Sequence, residues 1–153
     1  MSDNDENTDL EVGDGAPVDF ERLPTIAERF GTDTRFARVE ESPPTAPDRL
    51  VCIYDSGLYP VSVEEARLDV VWFENGTFSI HYHETHAEDE FDHRWDRHPS
   101  THNTLDHVHP GPDAPTPGEN VVHPADWRDV LAMVLNEVEE RQRGFWTDDS
   151  SPN

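Results

Sequence analysis

The stretch RWDRHPSTHNTLDHVHP, residues 94–110, carries four histidines, two arginines, two aspartates and a tryptophan. Histidine serves as both acid and base near neutral pH, and arginine binds phosphate through a planar fork. Three outcomes fit such a set: metal ligation, acid/base cleavage of a phosphodiester, or an inert polar loop. All nine histidines of the chain lie between positions 81 and 123. Cleavage of RNA without a metal needs a base for the 2′-hydroxyl proton, an acid for the 5′-oxygen and a cation for the charge on the phosphorane. The chain has no lysine, so the cation must be arginine, and Arg94 and Arg97 stand beside the histidines.

Other residues of the stretch have two readings each. Trp95 could stack on a base or sit in the core. Asp96 could orient an imidazole or simply close a strand. His81-x-His83 and His107-x-His109 on extended backbone could chelate a metal. Against that, no HExxH occurs and Cys52 is the single cysteine. No metal or cofactor is therefore expected, and a histidine-based metal-binding domain stands as the alternative, beside a non-catalytic interaction module. His86, His93 and His123 read as polar residues bonded to backbone.

The elements that must position these side chains are legible in part. VDFERLPTIAERFG places Phe20, Leu23, Ile26, Ala27 and Phe30 at helical spacing and stops at Gly31, with Pro24 marking the helix start or a kink. ESPPTAPD (41–48) is a proline-rich connection, and RLVCIYD (49–55) reads as an apolar strand. ARLDVVWFENGTFSIHYHETH reads as two strands joined by a two-residue Asn75-Gly76 turn. That turn sets Phe73 against Phe78, Val71 against Ile80 and Asp69 against Tyr82 on the core face. Trp72 then meets Ser79, Val70 meets His81 and Leu68 meets His83 on the other, so His81 and His83 point the same way. FDHRWDR (91–97) extends the meander, its alternation separating Asp92, Arg94 and Asp96 from Phe91, His93, Trp95 and Arg97. Between 98 and 118 seven prolines and glycines rule out continuous regular structure. From Pro124 or Asp126 to about Arg143, Trp127, Val130, Leu131, Val134, Leu135 and Val138 form one apolar stripe of a helix, with Gly144 as its stop. The expected fold is α+β: a small antiparallel meander of three to four strands with the C-terminal helix packed on one face.

Length and charge bound the rest. The chain has 153 residues, 33% of them hydrophobic, and 34 Asp plus Glu against 11 Arg, for a formal charge of −23. One α+β domain is expected over 18–146, flanked by disordered tails at 1–17 and 147–153. No apolar run is long enough for a membrane span, and the acidic start, MSDNDENTDLEVGDG, is unlike a signal peptide, so the cytoplasm is the expected compartment. Acids interspersed with strong apolar runs read as adaptation to a salt-rich cytosol rather than as disorder. At molar salt the Debye length is roughly 3 Å, so net charge does not exclude nucleic acid as a partner.

Arg94-Trp95-Asp96, then Pro99, then His102, then His107-x-His109, resembles the signature of TumE-type toxin proteins, an R-W-D-N-x-P-H-H block closing in a histidine-rich H-x-H. The likeness spans about 58–143, including the hairpin and the C-terminal helix. The resemblance implies a toxin component neutralised by a cognate antitoxin of DNA-binding type and acting on RNA. It carries Arg94, Asp96, His102, His107 and His109 over as catalytic candidates. His81, His83, Trp95 and Arg97 are the candidates for substrate binding. The histidine pair that should follow the proline is replaced by Ser100-Thr101-His102. If the site is an acid/base centre, Arg94, Asp96, His102, His107 and His109 must converge.

Overall fold

A computed structural model describes residues 16–150. Helix α1 (Arg22–Gly31) is followed by strands β1 (Phe36–Ser42) and β2 (Arg49–Tyr54), a 3₁₀ turn at Ser56–Leu58, then β3 (Val63–Trp72), β4 (Phe78–His86), β5 (Glu90–Arg97), β6 (Asp106–His109), β7 (Glu119–Asn120) and helix α2 (Trp127–Ser150). The strands form a single seven-stranded sheet in sequential order, every pair antiparallel. The fold is α+β with a C-terminal helix, but the sheet has seven strands where three to four were expected. The extra strands left little trace in the sequence. β6 and β7 have four and two residues, too few for a periodic pattern, and β1 is an edge strand in which Arg38, Glu40 and Glu41 are charged and exposed.

The hairpin turn also differs. Phe73 and Thr77 close a three-residue loop through Phe73 N–H to Thr77 O at 2.9 Å, and Gly76, at φ 89°, donates to Phe73 O. A three-residue loop ending in a left-handed glycine shifts the register by one relative to a two-residue turn. Trp72 therefore faces Phe78, Val70 faces Ile80 and Leu68 faces Tyr82, while His81 meets Asp69 and His83 meets Arg67. The physical reason is plain: this register joins the apolar residues of both strands on one face and keeps Asp69 out of the core.

That inner face carries both helices. Leu50, Cys52, Leu68, Val70, Phe78, Ile80, Tyr82 and Trp95 pack in one cluster with Leu23, Ile26 and Phe30 of α1 and Val130, Leu131, Val134, Leu135 and Val138 of α2. Asp19, just ahead of α1, accepts from Arg22 N–H at 2.8 Å, and Pro24 is the third residue of the helix, in the first turn, where its missing N–H costs nothing. Asp126 starts α2, accepting from Arg128 N–H at 2.8 Å. The helix passes Gly144 instead of stopping there, because Phe145 packs on the Tyr59 ring and Trp146 Nε1 donates to Leu58 O. The expected C-terminal tail is thus helical through Ser150, and 151–153 lie outside the described residues, as do 1–15 of the expected N-terminal tail. Cys52 is wholly buried, and burial, reinforced by Asp69, pushes its thiol far above the usual range.

Val134 is fully buried between α2 and the sheet. Val134→Ala is expected to destabilise the fold by about 1–3 kcal/mol as a core truncation, read from the midpoint of denaturant unfolding. An unchanged midpoint would mean that this helix face does not pack as described.

Candidate functional site

Strand alternation and register bring the chemistry-bearing residues to the face opposite the helices. On β4 these are Ser79, His81 and His83; on β5, Asp92, Arg94 and Asp96; on β6, His107 and His109. Cross-strand pairing sets Ser79 beside Asp96, His81 beside Arg94 and His83 beside Asp92. It sets Arg94 beside His109 and Asp96 beside His107. Two clusters result, joined by Arg94.

The first cluster is buried. Asp96 has no exposed surface, and His107, His109 and His98 are 1%, 3% and 5% exposed. Ser79 Oγ donates to Asp96 Oδ1 at 2.7 Å and Arg94 Nε to Oδ2 at 2.9 Å. Three imidazole Nε2 atoms converge on the same Oδ2, at 3.4 Å from His98, 3.4 Å from His107 and 3.1 Å from His109. Each ring is pinned from behind by a backbone carbonyl that its Nδ1–H reaches: Pro99 O at 2.9 Å, Thr104 O at 2.8 Å and Pro115 O at 2.8 Å. Burial by itself would raise the Asp96 carboxyl, but the imidazoles of His107, His109 and His98 and the Arg94 guanidinium hold it well below the usual carboxylate range. Burial would lower His98, yet its contact with Asp96 leaves it raised.

The second cluster is half-open. His81 Nε2 and His83 Nδ1 both bond Asp92 Oδ1, at 2.7 and 2.6 Å. Side-chain exposures are 36% for His81, 14% for His83, 27% for Asp92 and 22% for Arg94. A carboxylate holding two imidazoles fixes their orientation; His83 Nε2 lies 3.3 Å from Thr85 Oγ1, and among the described residues His81 Nδ1 makes no hydrogen bond. Arg94 spends its Nε on Asp96, and its backbone pairs directly with that of His81 on the neighbouring strand. Arg67, paired across from His83, adds a second cation, 35% exposed and bonded to Asp69. Two donor sets have ligand atoms close enough to hold a metal, within 4.8 Å of one another: His81, His83 and Asp92, and Asp96, His98 and His107.

The structure thus gathers Arg94, Asp96, His107 and His109, and places His81 and His83 next to them. It does not gather the rest. His102 is exposed, and among the described residues its one hydrogen bond is from its backbone N–H to Ser100 Oγ. His98 takes the place expected of His102, because it follows β5 directly and turns back over Asp96. Trp95 points to the helix side, 2% exposed, with Nε1 donating to Glu137 at 3.0 Å, so it cannot stack on a base. Arg97 is also on that side. It is bonded bidentately to Asp106 and to the carbonyls of His123 and Pro124, which leaves no free fork for phosphate. Asp92, Arg67, Ser79 and His98 were missed as site residues. Only Asp92 had a signal, its alternation with Arg94 and Asp96.

The remaining histidines brace the fold. His86 Nε2 bonds Glu84 at 2.8 Å, His123 Nε2 donates to His107 O at 3.1 Å, and His93 Nδ1 accepts from Gly111 N–H at 3.0 Å. His93 lines a cleft of about 400 Å³ between sheet and α2 with Phe91, Trp95, Glu137 and Arg141. Burial there pulls the imidazole down to about 4. This cleft lies across the sheet from both clusters.

No helix is long and apolar enough to cross a membrane, a statement limited to the described residues. No curated protein and no solved structure matches the chain. A family model described as Toxin TumE matches residues 25–142. That match starts well before the sequence resemblance, at 25 rather than 58, and takes in most of α1 and the strands β1 to β6 that build the outer face. Covering more than three quarters of the chain, it shows that the protein belongs to the TumE toxin family.

Proposed function

We propose that this TumE family member is the toxin component of a toxin–antitoxin pair and acts on RNA at the outer face of its sheet. The observation that carries the reading is the pair of part-exposed imidazoles on one carboxylate, His81 and His83 on Asp92, with Arg94 as the cross-strand neighbour of His81. One imidazole takes the 2′-hydroxyl proton as that oxygen attacks phosphorus, and the other gives a proton to the departing 5′-oxygen. Arg94 stabilises the phosphorane between them, with Arg67 as a second phosphate contact. The products are a 2′,3′-cyclic phosphate and a free 5′-hydroxyl. Asp96, His107 and His109, buried in this conformation, act by holding Arg94 rather than by touching RNA.

The partner is a cognate antitoxin of DNA-binding type, and the compartment is the cytoplasm. Induced expression in a halophilic host, with and without the neighbouring reading frame, tests the reading. Growth arrest relieved by the neighbour, with RNA cut to cyclic phosphate ends, is the expected result. Arrest with intact RNA would move the target elsewhere, and normal growth would leave a scaffold without toxicity.

The acidic surface belongs to the same proposal. Repulsion among 34 acids is weakly screened in dilute buffer, where the Debye length is about 30 Å at 0.01 M. Near-UV circular dichroism is expected to sharpen as KCl rises toward molar concentration. A full native spectrum in dilute buffer would remove the argument for salt adaptation.

A further inference from the structure

We infer that Asp96, His98, His107 and His109 bind a divalent first-row transition metal, as a closed site that ties the 98–118 connections to the sheet. A carbonyl only accepts, so the bonds to Pro99 O, Thr104 O and Pro115 O place a hydrogen on Nδ1 of each ring. In a neutral imidazole the other nitrogen then bears a lone pair. With neutral rings, three Nε2 lone pairs would face one buried carboxylate oxygen and repel it, so a proton or another cation must lie between each nitrogen and that oxygen. Nε2 of His98 and of His109 have no hydrogen-bond partner, although both rings are more than nine-tenths buried. Buried polar atoms are ordinarily satisfied. A second proton on every ring would instead bury three further positive charges around a carboxylate already paired with Arg94.

A metal ion resolves this. Imidazole nitrogens and a carboxylate suit zinc, nickel, cobalt or iron, and no thiol is needed. With metal–ligand bonds of about 2.0–2.1 Å, the edges of a tetrahedral site are roughly 3.3 Å long. The three Nε2–Oδ2 separations, 3.4, 3.4 and 3.1 Å, are already edges of that size. The ligand atoms of Asp96, His98 and His107 all lie within 4.8 Å of one another; His109 stands outside that group but reaches the same Asp96 oxygen at 3.1 Å, so it joins as fourth ligand by a shift of its ring. The surrounding bonds also match what ligating histidines and carboxylates require. A backbone carbonyl orients each ring, and Ser79 and Arg94 hold the carboxylate. All four side chains are buried, so the ion serves to fix structure. His98 lies just past β5 and His107 and His109 on β6, and the carbonyls behind the rings come from the two connections that flank β6. This inference does not depend on RNA being the target.

The test uses the full chain, without a histidine tag, stripped by chelator and held in KCl. Titration with Zn²⁺ or Co²⁺ is expected to show one ion per chain, a raised melting temperature, and visible Co²⁺ bands of a nitrogen/oxygen site. X-ray absorption of the zinc-loaded wild type is expected to show a shell dominated by imidazole, with one further oxygen and no sulfur. His98→Ala and His107→Ala are each expected to weaken binding roughly tenfold or more, whereas His86→Ala binds as wild type. If the alanine variants fail to fold, the wild-type stoichiometry and absorption spectrum still decide. Wild type that takes up neither ion overturns the inference. So does uptake that survives both substitutions and is lost in His83→Ala, which would place the ion on His81, His83 and Asp92.

Discussion

His81→Ala is expected to slow RNA cleavage by roughly 10²–10⁴-fold, the usual cost of losing one general acid or base. The fold should be retained, because the His81 side chain is 36% exposed and, among the described residues, hydrogen-bonds only to Asp92. Arg94→Gln should be comparably damaging, through loss of the phosphate-binding fork. It also removes a partner of Asp96, so its melting temperature should fall where that of His81→Ala does not. His107→Ala should lose toxicity by a different route, since a 1% exposed ring under the Asp96 cluster cannot be removed without loosening β6. Measuring cleavage of a defined RNA alongside thermal unfolding separates these causes. A folded His81→Ala protein that cuts RNA at the wild-type rate would take the outer face out of the chemistry.

Arg141→Leu is expected to cost about 3–5 kcal/mol of stability at neutral pH, because it leaves a buried charge without its partner. Glu84 has no exposed surface and lies on the helix side of β4. Arg141 of α2 meets it with two bonds, Nε to Oε2 at 2.7 Å and Nη2 to Oε1 at 2.8 Å. His86 Nε2 bonds the same carboxylate and Tyr82 donates to it, while the guanidinium lies 3.4 Å from the Phe91 ring centre. Burial on its own would raise Glu84, and the bonds from Arg141, Tyr82 and His86 bring it net below its ordinary 4.5. A carboxyl lowered by folding adds stability above its unfolded pKa and loses it as pH falls through the folded value. In the variant burial is less opposed, so protonating Glu84 relieves the strain. The gap between the two proteins should therefore be widest near neutrality, start to close as pH falls toward 4.5 while the variant's Glu84 takes up its proton, and close further below it as the wild type loses its own contribution. Glu84→Leu combined with Arg141→Leu should recover much of the loss, as buried pairs replaced together often do. A single variant as stable as wild type at pH 7 would mean that α2 is not tied to the sheet by this pair.

Much of the architecture follows from local pattern. The stripe Val130, Leu131, Val134, Leu135 and Val138 has the period of one helix face, and in the fold that face is buried. The alternation of FDHRWDR set Asp92, Arg94 and Asp96 apart from Trp95, and the sheet puts them on opposite sides. Where local pattern was too short or the decisive contact too distant, the sequence was silent. A turn of three residues rather than two moved Asp69 and Arg67 opposite His81 and His83, a choice made by burial of Leu68, Val70 and Trp72 against the helices.

The histidines show the same division most sharply. Their confinement to positions 81–123 is a property of the sequence, and it marked the right region. Which of them are buried, exposed or merely bracing depends on carbonyls from Pro99, Thr104 and Pro115 and on a sheet register that no window of residues contains. His98 and His102 are alike as residues four apart in one loop. Only the return of β6 alongside β5 puts one on Asp96 and leaves the other in solvent. Side-chain chemistry and short-range periodicity are written residue by residue. Burial and convergence arise from contacts between segments far apart in the chain, and they exist only once the sheet has closed around them.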